Sequence, residues 1–126
     1  MIKLSSDEIL SLHTNLIQRY GGSDGIRDDR ALDAALNTPF QTFDGMDLYP
    51  TVIDKAVRLA YGLITDHPFI DGNKRIGTMA MLMTLRLNHI PLSYAQSELI
   101  DIMLRIACGE KDVRDLKKWV VEHQSN

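Results

Sequence analysis

The densest group of reactive side chains in this sequence lies between residues 67 and 75, which read HPFIDGNKR. It combines an imidazole, a carboxylate, an amide and two adjacent cations. Its polar members are His67, Asp71, Asn73, Lys74 and Arg75. Apolar residues recur at helical spacing on both sides, so the group is expected to join two core-forming helices. Polar groups are costly to place against a core without partners, which indicates that these serve a chemical purpose.

The pair Gly72-Asn73 predicts a helix start that can bind an anion. The first backbone N–H groups of a helix are unpaired and carry partial positive charge, and Gly72 has no side chain to obstruct an approaching phosphate. Lys74 and Arg75 place two cations in the first turn, where the helix dipole disfavours them unless an anion lies close by. We therefore expect Gly72, Asn73, Lys74 and Arg75 to hold phosphate groups.

Two further residues predict chemistry on that phosphate. Asp71 can hold a Mg²⁺ ion that bridges phosphate oxygens. His67 carries an imidazole, which can accept the proton of an attacking hydroxyl as a general base. Phe69, between them, is expected to bury and anchor the segment. The stretch thus indicates transfer of a phosphate-containing group to a hydroxyl.

Each of these residues also has a purely structural interpretation. His67 can cap the helix before it, Asp71 can cap the helix after it and Asn73 can be a turn residue. The two cations can simply be solvated. Taken singly these interpretations are favoured, but the convergence of so many polar groups between two apolar helices favours phosphate chemistry.

The two helices that must position this stretch are predicted from apolar spacing. The first opens at Pro50-Thr51 and is interrupted at Asp66-His67-Pro68. The second begins at Asn73 and ends before Pro91. Its inward face is predicted to consist of Ile76, Met79, Ala80, Met83 and Leu87.

Four more helices are predicted around this pair. The first starts with a capping box at Ser5 and Glu8 and ends at Gly21-Gly22; His13 lies beside its apolar stripe and is predicted to be structural. Residues 21–25 are interpreted as a connector. A short helix capped by Asp28 or Asp29 is predicted through Leu32, Ala35 and Leu36 and ends at Thr38-Pro39. Another carries Leu99, Ile102, Met103 and Ile106 and ends at Gly109, and the last, capped by Asp112, carries Val113, Leu116, Trp119 and Val120. The predicted fold class is all-α, a compact bundle of about six helices.

Between Phe40 and Pro50 the helical periodicity lapses around Asp44-Gly45, a dipeptide typical of a type I′ turn. A small β-hairpin flap is predicted, formed by Gln41, Thr42, Phe43, Asp44, Gly45, Met46, Asp47 and Leu48. Two interpretations stay open. The segment is either a packed loop whose aromatic residues fill the core, or a flap whose strand edge captures an extended substrate segment.

Length and composition restrict the function classes. The 126 residues predict one domain, residues 1–126, and the net charge of −3 argues against direct nucleic-acid binding. No apolar run could span a membrane or serve as a secretory leader. The lone Cys108 excludes a disulfide and is predicted to be a buried thiol. We expect a cytoplasmic protein that does not bind membranes.

Residues 67–75 resemble the Fic/Doc superfamily motif, which in its Fic branch reads H-P-F-x-[DE]-G-N-G-R-x-x-R. Seven positions match: His67, Pro68, Phe69, Asp71, Gly72, Asn73 and Arg75. The likeness extends from Ser5 to about Trp119 and includes the Tyr20-Gly21-Gly22 turn and the Leu48-Tyr49-Pro50 segment, so it covers most of the chain. It implies a small all-α domain with a β-hairpin flap, in which His67 is the general base, Asp71 the magnesium ligand and the hairpin the site that positions a target peptide.

Two departures from that motif are typical of the death-on-curing (Doc) branch. Lys74 replaces the second glycine and Thr78 replaces the second arginine. In the Fic branch that glycine leaves room for a nucleotide whose AMP is transferred. The resemblance to Doc implies that ATP lies in the reversed orientation and that its γ-phosphate is transferred, to the translation elongation factor Tu.

The Doc resemblance also implies a protein antitoxin whose disordered tail folds on binding. The S/T-x-x-x-E-[GN] helix of self-inhibited Fic proteins is absent, and Ser97-Glu98 and Asp101 do not fit it, so inhibition is expected to come from a separate chain. Two alternatives remain. One is AMP transfer or another nucleotidylation, and the other is an inactive scaffold that binds a partner through the phosphate groove.

Overall fold

A computed structural model describes residues 1–125, and Asn126, the last residue of the predicted domain, lies outside them. The described part contains six helices and a two-stranded antiparallel sheet, which confirms the predicted fold class. The helices are α1 (Ser6–Tyr20), α2 (Asp29–Asn37), α3 (Val52–Thr65), α4 (Asn73–Leu87), α5 (Gln96–Ala107) and α6 (Val113–Glu122). A 3₁₀ turn (Thr38–Phe40) precedes β1 (Thr42–Phe43) and β2 (Met46–Asp47). No helix within residues 1–125 is long and apolar enough to cross a membrane.

The pair α3 and α4 forms the centre of the molecule, because both helices contribute to both halves of the core. One half packs them against α5 and α6, and the other against α1 and α2. The two helices approach closely at Gly77, where an added Cβ would lie 2.6 Å from Ile64 Cγ1 and 3.0 Å from the Ala60 carbonyl oxygen. Gly77 therefore allows α3 and α4 to pack at close range.

The inward face of α4 differs from the prediction in its second half. Met81 and Leu85 are buried, whereas Met83 is half-buried and Leu87 is 37% exposed. The buried arc of the helix also includes small residues, Gly77 and Thr84, which a count of large apolar residues overlooks. The Thr84 hydroxyl is satisfied by donating to the Ala80 carbonyl at 2.7 Å.

The prediction that Cys108 is a buried thiol is wrong, because this residue is exposed. Helix α5 buries Leu99, Ile102, Met103 and Ile106 as expected, but it ends at Ala107. Cys108 is its C-cap and Gly109 turns the chain away with φ +83°. The helical periodicity therefore stops before it reaches the cysteine.

The hairpin forms with the predicted turn. Asp44 and Gly45 have φ values of 53° and 77°, as a type I′ turn requires, and Thr42 pairs with Asp47 while Phe43 pairs with Met46. Phe43 is 76% exposed and Met46 is 74% exposed. The interpretation as a loop whose aromatic residues fill the core is therefore wrong for Phe43.

Helix α3 supports the hairpin through a buried lysine. Lys55 Nζ donates to Asp47 Oδ2 at 3.2 Å and to the carbonyl oxygen of Tyr49. The guanidinium of Arg58, one turn further along, lies 4.7 Å from the centre of the Tyr49 ring. Two strands alone are marginally stable, so these contacts hold the hairpin on α3.

Helices α5 and α6 are joined by an ion pair between His123 and Glu98. The Nε2 of His123 lies 3.0 Å from Glu98 Oε2, and the Nδ1 of His123 donates to the Trp119 carbonyl at 2.7 Å. The bond to Glu98 raises the pKa of His123, as does the bond to Trp119. The bond from His123 lowers the pKa of Glu98, and so does its bond from the Ala95 N–H.

We expect Gly77→Ala to lower the free energy of unfolding by about 1–3 kcal/mol, although alanine gains about 1 kcal/mol in helix propensity. The new Cβ would collide with Ile64 across the α3–α4 contact. Urea unfolding measures the change. In an Ile64→Ala background the same substitution should cost less, and an equal cost in both backgrounds would contradict this account of the contact.

We expect Glu98→Gln to lower Tm most between pH 4.5 and 6.5, the ordinary pKa values of glutamate and histidine. Because the pKa of His123 is raised in the folded protein, its stabilising contribution is lost as pH rises through that pKa. Because the pKa of Glu98 is lowered, its contribution is lost as pH falls through that pKa. Glutamine can still accept from the Ala95 N–H, which preserves the cap. A Tm difference that does not vary with pH would show that the ion pair contributes nothing.

Candidate active site

The end of α3 and the start of α4 enclose a cleft of about 410 Å³. Every residue predicted to act on phosphate lines it. Its polar lining consists of His67, Asp71, Gly72, Asn73, Lys74 and Arg75. Ile64, Ile70 and Ala107 form its apolar lining. The structure therefore brings the predicted catalytic, metal-binding and phosphate-binding residues together at one place.

The start of α4 differs from that of the five other helices in residues 1–125. Each of those has an acidic residue in its first turn, whereas α4 has none and begins with Asn73, Lys74 and Arg75. Its N-cap, Gly72, has φ +77° and offers no side-chain cap. The first helical bond runs from Ile76 N to Gly72 O, which leaves the N–H groups of Asn73, Lys74 and Arg75 without helical partners and able to bind an anion.

The side chain of Asn73 organises the turn before the helix. Its Oδ1 accepts from Phe69 N at 2.9 Å and its Nδ2 donates to Phe69 O at 3.0 Å. The amide thus pairs with both peptide groups of Phe69, as a neighbouring strand would. In this arrangement the group that Asn73 presents towards an anion is its backbone N–H.

Asp71 is exposed and both of its carboxylate oxygens accept backbone hydrogen bonds. Oδ1 accepts from Gly72 N at 2.9 Å, and Oδ2 accepts from Ser23 N at 3.3 Å. Residues 1–125 contain no group of three or more histidine, cysteine or acidic side chains arranged to bind a metal. A single carboxylate suits Mg²⁺, which proteins commonly hold through one or two carboxylates while substrate phosphates and water complete the shell.

Phe69 is buried and stacks on His13, with ring centroids 3.7 Å apart and planes 10° from parallel. His13 is also buried, as its structural interpretation predicted, and its Nε2 donates to the Asp71 carbonyl at 2.7 Å. The two rings form a buried support beneath the turn. Helix α1 therefore holds the backbone of Asp71 through the hydrogen bond from His13.

The glycine-rich loop 21–25 lies between α1 and α2, as expected of a connector, and it also contacts two residues of the cleft. The Gly21 carbonyl accepts from Arg75 Nη1 at 2.9 Å, and Ser23 N donates to Asp71 as described. A Cβ at Gly22 would lie 2.6 Å from Asp71 Oδ2, so only glycine at this position avoids a clash with the carboxylate. The Tyr20-Gly21-Gly22 run shared with the resemblance was the signal that could have revealed this.

The backbone of residues 25–28 pairs with the turn that follows α3. Ile26 and Phe69 form an antiparallel bridge, and Ile70 N donates to Gly25 O at 3.0 Å. Arg27 adds side-chain bonds from Nε to His67 O at 2.6 Å and from Nη2 to Asp66 O at 3.0 Å. Nothing in the spacing of the sequence singled out Arg27, because its partners are about forty positions away.

His67 is exposed and has φ +49°, a left-handed conformation that is uncommon for a residue other than glycine. Within residues 1–125 its ring makes no hydrogen bond, so it does not cap α3, the structural role considered for it. It lines the cleft. The imidazole is thus available to a ligand.

Neither the predicted hairpin flap nor Thr78 lines the cleft. None of residues 41–48 lines it, and Lys55, which holds the hairpin, is roughly 14 Å along the α3 axis from Ile64. Thr78 donates its hydroxyl to the Lys74 carbonyl at 2.7 Å within α4. The position that carries an arginine in the Fic motif is therefore turned back onto the helix.

Comparison with known proteins agrees with this arrangement. The model of the Fic/DOC family matches residues 3–85. A protein of Mycolicibacterium smegmatis named Toxin Doc is 34% identical over 96 residues, which cover 75% of this chain and 74% of that protein. The Protein kinase doc of Escherichia phage P1 is 30% identical over 116 residues, which cover 90% of this chain and 88% of that protein. The chain therefore belongs to the Fic/DOC family, within its Doc branch.

Proposed function

We propose that this protein is a Doc-type toxin that transfers the γ-phosphate of ATP to a hydroxyl of a translation elongation factor and so arrests translation. One observation carries the proposal: the uncapped, cationic start of α4 lines the same cleft as His67 and Asp71. The names of the two relatives, Toxin Doc and Protein kinase doc, support it.

In the proposed reaction the bond between the acceptor oxygen and the γ-phosphorus forms as the bond from that phosphorus to the bridging β–γ oxygen breaks, and ADP leaves. His67 takes the proton of the hydroxyl. The N–H groups of Asn73, Lys74 and Arg75, together with the two cationic side chains, hold phosphate oxygens. Mg²⁺, held by Asp71, would neutralise charge on the phosphates.

Lys74 supports transfer of the γ-phosphate rather than AMP. Its side chain is exposed in the first turn of α4 and has no ion-pair partner within residues 1–125. It occupies the position of the glycine that the Fic motif keeps open for the nucleotide. Because position 78 is a threonine, the second phosphate-gripping cation of the Fic motif is missing as well, and the Thr78 hydroxyl bonds its own helix.

The hairpin is the proposed docking element for the target. Its short strands have an edge whose backbone groups can pair with an extended segment, and its exposed side chains at Phe43, Met46 and Leu48 offer apolar contacts. Because residues 41–48 do not line the cleft, the target segment would have to extend from the hairpin to His67. We propose that a segment of the elongation factor has this role.

Inhibition is proposed to come from a separate antitoxin chain whose tail folds on binding. Glu98, a glutamate considered for self-inhibition, accepts from the Ala95 N–H at 2.9 Å and from His123 at 3.0 Å. Both of its oxygens are therefore engaged away from the cleft. Nothing within residues 1–125 reaches the anion-binding position in place of a phosphate.

We expect the purified protein to transfer label to a protein of a bacterial lysate from γ-labelled ATP and not from α-labelled ATP. Chelation of Mg²⁺ with EDTA should abolish the transfer. Mass spectrometry of the labelled band, with elongation factor Tu as the expected protein, identifies the acceptor. Label from the α position alone would establish AMP transfer and refute the kinase proposal, and no label from either would refute both.

We expect His67→Asn to lower the rate of transfer by about 10²–10⁴-fold, the usual contribution of a general base, and to abolish growth inhibition. Asparagine tolerates the left-handed backbone, so the fold should be retained. His89→Asn is the matched control, since His89 is also exposed with φ +60° but does not line the cleft. A folded His67→Asn protein that still arrests growth would point to the scaffold alternative.

A further inference from the structure

Arg27 alone binds three consecutive carbonyl oxygens at the turn that carries His67. Its side chain donates to Asp66 O at 3.0 Å and to His67 O at 2.6 Å. Its backbone N–H donates to Pro68 O at 2.8 Å. The guanidinium fork can satisfy two acceptors at once, which a lysine ammonium matches less well in geometry.

The turn needs such support because its conformation is doubly unfavourable. His67 is left-handed, and it precedes Pro68, whose ring restricts the residue before it to extended conformations. The last carbonyls of α3 also lack helical partners and carry partial negative charge, so a cation beside them is favourable. Arg27 supplies both the hydrogen bonds and the charge.

We propose that Arg27 is a positioning residue that sets the direction of the His67 imidazole over the cleft. This inference rests on the proposed function, in which His67 is the general base. Since the ring makes no hydrogen bond of its own within residues 1–125, the orientation of its peptide decides where its Cβ points. Arg27 does not line the cleft, so it acts through His67 and not on the substrate.

If Arg27 only stabilised the fold, its substitution would lower stability without a separate effect on His67. The other contacts of the turn argue against such a role. The turn is also held by Asp28 N donating to Pro68 O, by Ile70 N donating to Gly25 O and by the burial of Phe69. All of these remain when only the side chain of Arg27 is changed. Substitution should therefore leave the fold in place while the conformation of His67 relaxes.

The test compares Arg27→Met and Arg27→Lys with the control Arg30→Met. Arg30 is exposed on α2 and has no hydrogen bond or ion pair through its side chain in residues 1–125. Two readouts are needed. NMR measures the HN–Hα coupling and the Cα and Cβ shifts of His67, which report its φ. Transfer from γ-labelled ATP to a bacterial lysate gives kcat and the KM for ATP.

We expect Arg27→Met to lose the left-handed NMR pattern of His67 and to lower kcat on the order of 10²-fold, as small misplacements of a catalytic group do. Its KM for ATP should change by less than about two-fold, because phosphate binding lies on α4. Arg27→Lys, which keeps the charge but loses the fork, should recover part of kcat. Arg30→Met should match the wild type in both readouts.

The inference is overturned if Arg27→Met retains the wild-type pattern of His67, or if kcat and the KM for ATP deteriorate together in proportion to lost stability. Should Arg27→Met fail to fold, Arg27→Lys decides by the same two readouts. If the wild-type protein transfers no label, the proposed function fails, and the NMR comparison still shows whether Arg27 holds His67.

Discussion

The close contact between α3 and α4 is the constraint on which the rest of the structure depends. Gly77 lets the two helices approach until an additional Cβ would touch Ile64 and the Ala60 carbonyl. The chain must then reverse direction between Thr65 and Asn73. That short reversal contains His67, Phe69 and Asp71, so the packing of two core helices determines where the reactive side chains lie.

The reversal departs from favourable local structure at the positions where chemistry is proposed. A left-handed residue costs about 1–3 kcal/mol, and a glycine N-cap such as Gly72 gives up roughly a few tenths of a kcal/mol relative to a capping side chain. Capping boxes at the starts of α1, α3 and α6 show that this chain uses caps elsewhere. Asp44 and His89 are also left-handed, and α5 also starts without a side-chain cap. Within residues 1–125, however, only the cleft combines a left-handed residue with an uncapped, cationic helix start, which is expected of a site that must present an imidazole and bind an anion.

Much of the fold and the local site could be predicted because it depends on neighbours in sequence. Capping residues such as Ser5, the type I′ turn at Asp44-Gly45 and the helix start at Asn73 are decided within a few positions. Apolar spacing predicted the helices but failed at Cys108, since periodicity does not tell where a helix stops. It also misplaced the buried face of α4, where a glycine and a threonine lie inside.

Apart from the Tyr20-Gly21-Gly22 run in the family resemblance, no signal in the sequence predicted the contribution of residues 13–27 to the site. His13 bonds the Asp71 carbonyl, Gly22 leaves room for the Asp71 carboxylate and Arg27 holds the His67 carbonyl. Each contact joins positions that are distant in sequence and would look like an ordinary loop or core residue alone.

The motif between residues 67 and 75 therefore supplies the reactive groups but does not by itself fix their positions. Its own contacts, such as Asn73 with Phe69, set the shape of the turn, but the turn is held against α1 and the loop that follows it. A chain with the same nine residues and a bulkier residue at position 22 would keep the chemistry and misplace the carboxylate. In this protein the loop after α1 therefore shapes the candidate site together with the motif.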